Sequence, residues 1–400
     1  MIVMIKKIKA WFKKVVCLAL NFPVAALIVF FLLSLSCLYL PFVFHLDSFW
    51  GLEYQEKFNF ASILLNFDSL NYIVVAKTWY QPEQINSLFT NIAEPAHYFP
   101  AHFPLYPALI WLLAQLPLIN YPYAAILVTL ASSLVAVVAF YHLVKLLLGE
   151  KKALVLSLIF LVFPARWLVI RAVPSPEPLF LATIIGAIYF FKREHFFKSA
   201  ALTILAQTIK SPGILLAGSL GLVTLAKIHQ NRNQFKKALK KYWPMLITPV
   251  GLLLVFWLYY LATGDFWMYF KTGNNIHLYW PPFQVFNYLE EWVRTIWLED
   301  VVFIYLAGGV LLFSLWEKYR FDILFLFPSI FYLSVLFVSH RDISRYLLPA
   351  IPFLLIGGEK LFTNKKFLWT LVVLLPALFL YAVNFISFNV MSLADWTPYL

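Results

Sequence analysis

An all-α polytopic membrane protein crossing the bilayer about eleven times is the fold class this sequence predicts, and three observations predict it. Of its 400 residues, 62% are hydrophobic and 12% charged, with a mean hydropathy of +0.79, whereas soluble domains carry about 25% charged residues. Apolar runs of about 17 to 25 residues, the length of helix that spans a hydrocarbon core, recur along the whole chain, and no run alternates as barrel strands do. The loops between them alternate between basic and acidic, as successive sides of a membrane require.

In chain order, MIVMIKKIKAWFKK has the basic character of a secretory signal. The apolar run from Cys17 to Phe44 is too long for a cleaved signal, so a retained first span is expected. Cys17 and Cys37, the two cysteines, share this helix and stand roughly 30 Å apart along it, which excludes a disulfide or a cysteine metal site.

A long outer loop follows, about residues 45 to 121. Within its segment NFDSLNYIVVAKTWY, Leu70, Ile73, Val74 and Lys77 fall at helical spacing, which predicts an amphipathic helix along the interface with Asp68 at its start. Asp68 is then either that helix's cap or a carboxylate required for chemistry. In HYFPAHFPLYP, Pro100, Pro104 and Pro107 stiffen the backbone and the aromatic rings suit headgroup depth. His97 and His102 are five apart, not the spacing of a helical metal pair, and the loop lacks Asp-x-Asp, so no bound metal is expected. The proline-bracketed stretch Pro104 to Ile119 reads as an interfacial or half-inserted helix.

Further spans are read at about 122–148, 153–172, 177–191, 199–209, 213–226, 243–262, 300–316, 321–338, 346–361 and 367–388. With the N-terminus cytoplasmic, the inner loops hold about 22 of the 31 Lys and Arg, and about 14 of the 19 Asp and Glu fall outside. The net charge of +12 then divides into roughly +17 inside and −5 outside. The basic excess is a topology signal, and nucleic acid is not an expected partner. With no internal repeat and no separate soluble stretch, residues 1–400 read as one transmembrane domain whose working parts are the outer loops 45–121 and 263–299.

Several ionisable residues converge on the outer face. Glu177 opens a span, where a carboxylate suits a helix N-terminus or takes part in catalysis. Lys210 lies at the hinge KSPG between two short helices, and an ionisable group at membrane depth marks a site. Arg341 and Arg345 are four apart, so on one helical turn both forks face a phosphate together, unless Asp342 neutralises Arg345 locally. Tyr72, His97, His102 and Trp280 complete the substrate-binding candidates. No Walker loop, glycine-rich fingerprint or Ser-His-Asp arrangement is present in the loops, which argues against nucleotide-driven chemistry.

At these residues the chain resembles the PIG-V family of membrane mannosyltransferases, of the GT-C glycosyltransferase class. The family's Trp-Asp and following helix resemble Phe67, Asp68, Tyr72, Ala76 and Tyr80, and its Phe-Phe-Pro-x-x-Pro resembles FPAHFPLYP. Its Ser-Pro with Ser-Glu-x-Leu-Phe resembles FPARWLVIRAVPSPEPLF, its Thr-Arg-Ser-x-Gly resembles TIKSPG, and its Arg-Tyr resembles SRYLLP. Two residues depart from the pattern: Phe67 stands for Trp and Lys210 for Arg, a point charge in place of a planar fork. The segment HLDS also resembles the His-Pro-Asp-Glu of sister mannosyltransferases, which makes Asp47 the rival of Asp68 as base.

The resemblance implies an inverting hexosyltransferase acting outside the cytoplasm, at the plasma membrane if the source is prokaryotic. It implies a polyprenyl-phosphate sugar as co-substrate, mannose by family habit, with no other cofactor. It also implies a glycan, glycolipid or protein acceptor and membrane lipid as a partner. Two other classes share the topology: a flippase or transporter of lipid-linked glycans, whose repeat symmetry is not found here, and a glycan polymerase or ligase, whose large functional loop falls later in the chain.

Overall fold

The computed structural model describes residues 18–53, 58–90, 92, 94–273, 276–296 and 298–400. The basic N-terminal segment and Cys17 lie outside the described residues. Cys37 is a free, exposed thiol on the first helix.

The chain is an all-α membrane protein. Among the described residues, the segments Pro23–Val43, Tyr121–Leu148, Gly213–Gln230, Arg232–Thr263, Glu299–Tyr319 and Lys365–Phe388 are long and apolar enough to cross a bilayer. Leu32, Leu33, Phe303, Phe313, Trp369 and Val373 face outward from them, a breadth of exposed apolar surface that lipid tolerates and water does not. The only strands among the described residues are Ser48–Phe49 and Leu52–Glu53, paired antiparallel.

Prolines account for most differences between expected spans and observed helices. The run 153–172 splits into Glu150–Val162 and Ala165–Ile170 at Pro164, which has no amide proton to continue the ladder. The run 346–361 becomes four short pieces, Ile343–Tyr346 (α1), Leu348–Ala350, Ile351–Gly357 and Glu359–Phe362, around Pro349, Pro352 and Gly358. The apolar stretch after Pro104 forms Leu105–Ala114, ten residues and about 15 Å, half a hydrocarbon core.

The segment after Asp68 is a helix, Ser69–Thr78 (α2), but not one with a free polar face. Nine of its ten residues are buried, from Ser69 to Ala76 and Thr78. Leu105–Ala114 and Tyr121–Leu148 pack on it, and Lys77 Nζ reaches the Pro398 carbonyl at 2.7 Å. Helical spacing of apolar residues identified the buried stripe; it could not show that the rest of the chain covers the other side as well.

Two distant strand-like contacts close one end of the bundle. Asn66 bridges Val390, and the Met391 N–H donates to the Leu65 carbonyl at 2.8 Å. Leu278 bridges Val338, flanked by Tyr279 N–H to Phe337 O and Ser339 N–H to His277 O, both 2.9 Å. The loop 263–299 is thereby laid along the segment that precedes α1.

Candidate active site

Asp68 stands at the start of α2 in a non-helical conformation (φ −91°, ψ 27°), and its carboxylate caps nothing. The cap reading therefore fails: the side chain turns away from its own helix, remains 41% exposed, and enters a cavity of about 530 Å³. Phe67 just before it takes a left-handed φ of +50°, a conformation that costs a non-glycine residue of order 1 kcal/mol. Asn66 holds this turn from below, its amide donating to Ser62 O at 2.6 Å and Ile386 O at 2.9 Å.

The cavity floor is an ion-pair chain. Glu177 opens the helix Glu177–Lys192 (α3) and is 3% exposed. Its Oε1 accepts from Lys210 Nζ at 2.8 Å and from Arg345 Nε at 2.7 Å. The other oxygen, Oε2, is buried without a hydrogen-bond partner. Arg345 extends its Nη2 to within 3.8 Å of Asp68 Oδ2. Its guanidinium lies over the Phe67 ring, 4.4 Å from the centroid, so phenylalanine keeps the aromatic face that a tryptophan would offer.

Local sequence explains how Lys210 arrives there. The helix Phe196–Ile209 (α4) ends at Lys210, which is extended, and Pro212 prevents its continuation. Gly213 then begins the helix Gly213–Gln230 so close to the preceding turn that a Cβ would sit 2.6 Å from Gln207 Cα. The Ser211 hydroxyl bonds Tyr269 OH at 2.9 Å, tying the hinge to the loop 263–299.

One wall is aromatic and imidazole. Tyr72 meets the edges of His102 and Tyr106, with centroids 4.8 and 5.0 Å away. Burial lowers the pKa of His102 despite Asp68 nearby, and its Nδ1 has no partner. The His277 and His340 rings are 5.1 Å apart, held there by the pairing of their segments. His340 Nδ1 accepts the Asp342 N–H at 2.9 Å, which fixes a neutral ring with its proton on Nε2. Burial first, then His277, Arg345 and Arg341 against Asp342, pushes His340 down to about 4. The Tyr98 phenol is pushed up to about 12 by burial, with Asp68 and Glu94 adding to it.

Of the residues singled out from sequence, Asp68, Tyr72, His102, Glu177, Lys210 and Arg345 line this one cavity. The others do not. Asp47 is exposed beside a separate shallow depression with His45 and Asn59. His97 is exposed on the far side of its 3₁₀ turn, and Trp280 is 83% exposed, stacked on Phe337. Arg341 is exposed and precedes α1, whose first residue is Ile343, so it shares no helical turn with Arg345.

Asp342 does not neutralise Arg345 by a close contact. It pairs with Arg166 at 2.9 Å and accepts the Arg345 backbone N–H. Nearness in sequence suggested the pair, but Glu177, 168 residues away, supplies the closer carboxylate. Glu177 itself is better described as the counter-ion that positions two cations than as a proton-transfer group, because both contact its one bonded oxygen. Sequence reasoning missed Tyr98, Tyr269, His277, His340 and Tyr346 in the cavity lining. His277 and His340 were visible as histidines in outer loops; only the strand-like pairing shows that they meet.

No protein-family profile and no curated protein matches the chain by sequence. The fold is similar to that of ArnT from Cupriavidus metallidurans, solved bound to undecaprenyl phosphate, at a TM-score of 0.54 and 13% identity. That match covers 87% of this chain and 62% of ArnT. The apo structure of the same protein matches at a TM-score of 0.51 and 16% identity, over 78% of this chain and 58% of that one. The chain thus spans less than two thirds of the length of the protein it is folded like.

Proposed function

We propose that this chain is a membrane glycosyltransferase of the GT-C class that moves a sugar from a polyprenyl-phosphate donor to an acceptor hydroxyl. The observation that carries the reading is one cavity holding a carboxylate, Asp68, opposite two cations, Lys210 and Arg345. ArnT is a glycosyltransferase of that class, and its structure with undecaprenyl phosphate supports a polyprenyl-linked donor here. Mannose is the sugar implied by the motif resemblance.

In the proposed reaction the acceptor oxygen attacks the anomeric carbon while the bond from that carbon to the donor phosphate breaks. Asp68 takes the acceptor proton, and the polyprenyl phosphate leaves carrying the bonding pair. A positioned base of this kind contributes about 10² to 10⁴ in rate. Lys210 and Arg345 offset the charge that grows on the departing phosphate, and Glu177 fixes both before the substrate arrives. Back-side attack inverts the anomeric centre. The two cations meet the phosphate directly, so transfer is expected to survive a chelator.

The test is purified protein in lipid with radiolabelled polyprenyl-phosphate mannose and a panel of glycan, glycolipid and peptide acceptors. Covalent transfer supports the reading. Movement of the lipid-linked sugar across the bilayer without a new bond replaces it with a flippase, and joining of preformed glycans replaces it with a polymerase or ligase. Restoration of an EDTA-treated sample by manganese or magnesium would move the phosphate role from the two cations to a metal.

A further inference from the structure

The far end of the bundle carries a second surface with its own chemistry. Helix α3, of 16 residues, has Glu177 in the cavity at its first residue and Lys192 at its last, about 22 Å away, and α4 returns from Phe196 to the hinge. Beside that far turn lies the helix Phe235–Leu246 (α5), sequence FKKALKKYWPML.

At about 100° per residue α5 divides into three sectors. Ala238, Tyr242 and Met245 are buried against the bundle. Phe235, Leu239, Trp243 and Leu246 form an exposed apolar stripe, which Phe197 extends from α4 by meeting Trp243 edge-on at 5.3 Å. Lys236, Lys237, Lys240 and Lys241 fill the third sector. Lys241 pairs with Glu194 at 2.9 Å; the other three have no carboxylate within ion-pair distance among the described residues. Between Lys241, His195 and Lys198 is an open depression of about 400 Å³, lined also by Phe196, Phe197 and the Glu194 carboxylate that Lys241 neutralises.

We infer that α5 and this depression bind anionic phospholipid headgroups in the leaflet opposite the cavity. Because α5 leads into the apolar helix Val250–Thr263 within one candidate span, Arg232–Thr263, its exposed apolar stripe suits acyl chains and its lysines suit the headgroup phosphates beside them. Charge complementarity selects the occupant: three unpaired ammonium groups beside a membrane-facing stripe are attracted to a lipid of net negative charge and gain little from a zwitterionic one. The surface is independent of the glycosyltransferase reading, since no residue in it lines the cavity.

The experiment reads lipid retention, not catalysis. The full chain is purified from membranes, incubated with equimolar phosphatidylglycerol and phosphatidylcholine, and analysed by native mass spectrometry. Wild type is expected to retain phosphatidylglycerol with a preference of about tenfold or more, and K236Q/K237Q/K240Q to lose most of it. All three side chains are exposed, so the variant should fold. A control, K365Q/K366Q, removes the same kind of charge from the start of the helix Lys365–Phe388 and should keep the preference. Equal retention of both lipids by wild type, an unchanged triple variant, or an equal loss in the control would overturn the inference. So would a lipid-independent dimer, abolished by the triple substitution, which would make a second copy the occupant.

Discussion

At the scale of single residues, Asp68 and Glu177 are both carboxylates in one cavity, and their surroundings give them different work. Asp68→Asn keeps the shape and removes the proton acceptor. Turnover in the transfer assay is expected to fall by about 10² or more with donor binding little changed. Because the Asp68 side chain bonds no backbone N–H of its helix, a lost cap cannot account for such a fall. Glu177→Gln acts otherwise: it leaves Lys210 and Arg345 without their common counter-charge in a buried setting. A loss of about 3–5 kcal/mol in unfolding free energy is expected, read by thermal melting, whereas Arg345→Ala keeps the Glu177–Lys210 pair and should chiefly weaken donor binding. Protonation adds a pH dependence. His340 is depressed to about 4, and burial lowers His277 and His102 in the same direction. As pH falls below about 6.5 the unfolded chain takes up protons that these folded histidines refuse, so stability present at pH 7 is lost as the pH drops toward 4. His340→Gln should flatten the melting temperature across that window; an unchanged slope would remove His340 as its source.

At the scale of elements, what could be read from the sequence was whatever depends on neighbours along the chain. Apolar length located the long helices, and Pro212 with Gly213 located the hinge that delivers Lys210. Lys210 was recognisable because an ionisable group at membrane depth needs a reason to be there, Asp68 as a carboxylate heading an apolar helix, and Arg345 as the cation of the motif SRYLLP. Pairings that skip across the chain were not legible. Arg345 finds Glu177 on another helix, Arg166 takes Asp342, and His277 meets His340 only because Leu278 lies against Val338. The helix after Asp68 shows the same limit, since its spacing could not reveal a cover on every side. Gly213→Ala tests the hinge. Its Cβ would meet Gln207 backbone at 2.6 Å, so a cost of about 1–3 kcal/mol is expected, with donor affinity falling because Lys210 shifts. Gly218→Ala on the same helix meets nothing within 4 Å and should leave both unchanged.

At the scale of the whole molecule, the alternation of charge makes a prediction about sidedness. In a cysteine-free background, Lys236→Cys should be protected from an impermeant thiol reagent applied to the outside of intact cells, and the exposed His97→Cys should react. Labelling of Lys236→Cys from outside would invert the topology and move the cavity to the cytoplasm. The bridge between Asn66 and Val390, with Met391 bound to Leu65, bears on a different matter, the order of synthesis. Residues 65 to 68 are made early in translation, yet the segment that pins them follows more than 300 residues later. Until that segment leaves the ribosome, the turn that aims Asp68 is held only by bonds to its own neighbours, such as the Asn66 amide to Ser62 O and the Ser69 N–H to Asn66 O. The geometry thereby makes a segment translated after all the helices in between a condition for the finished turn.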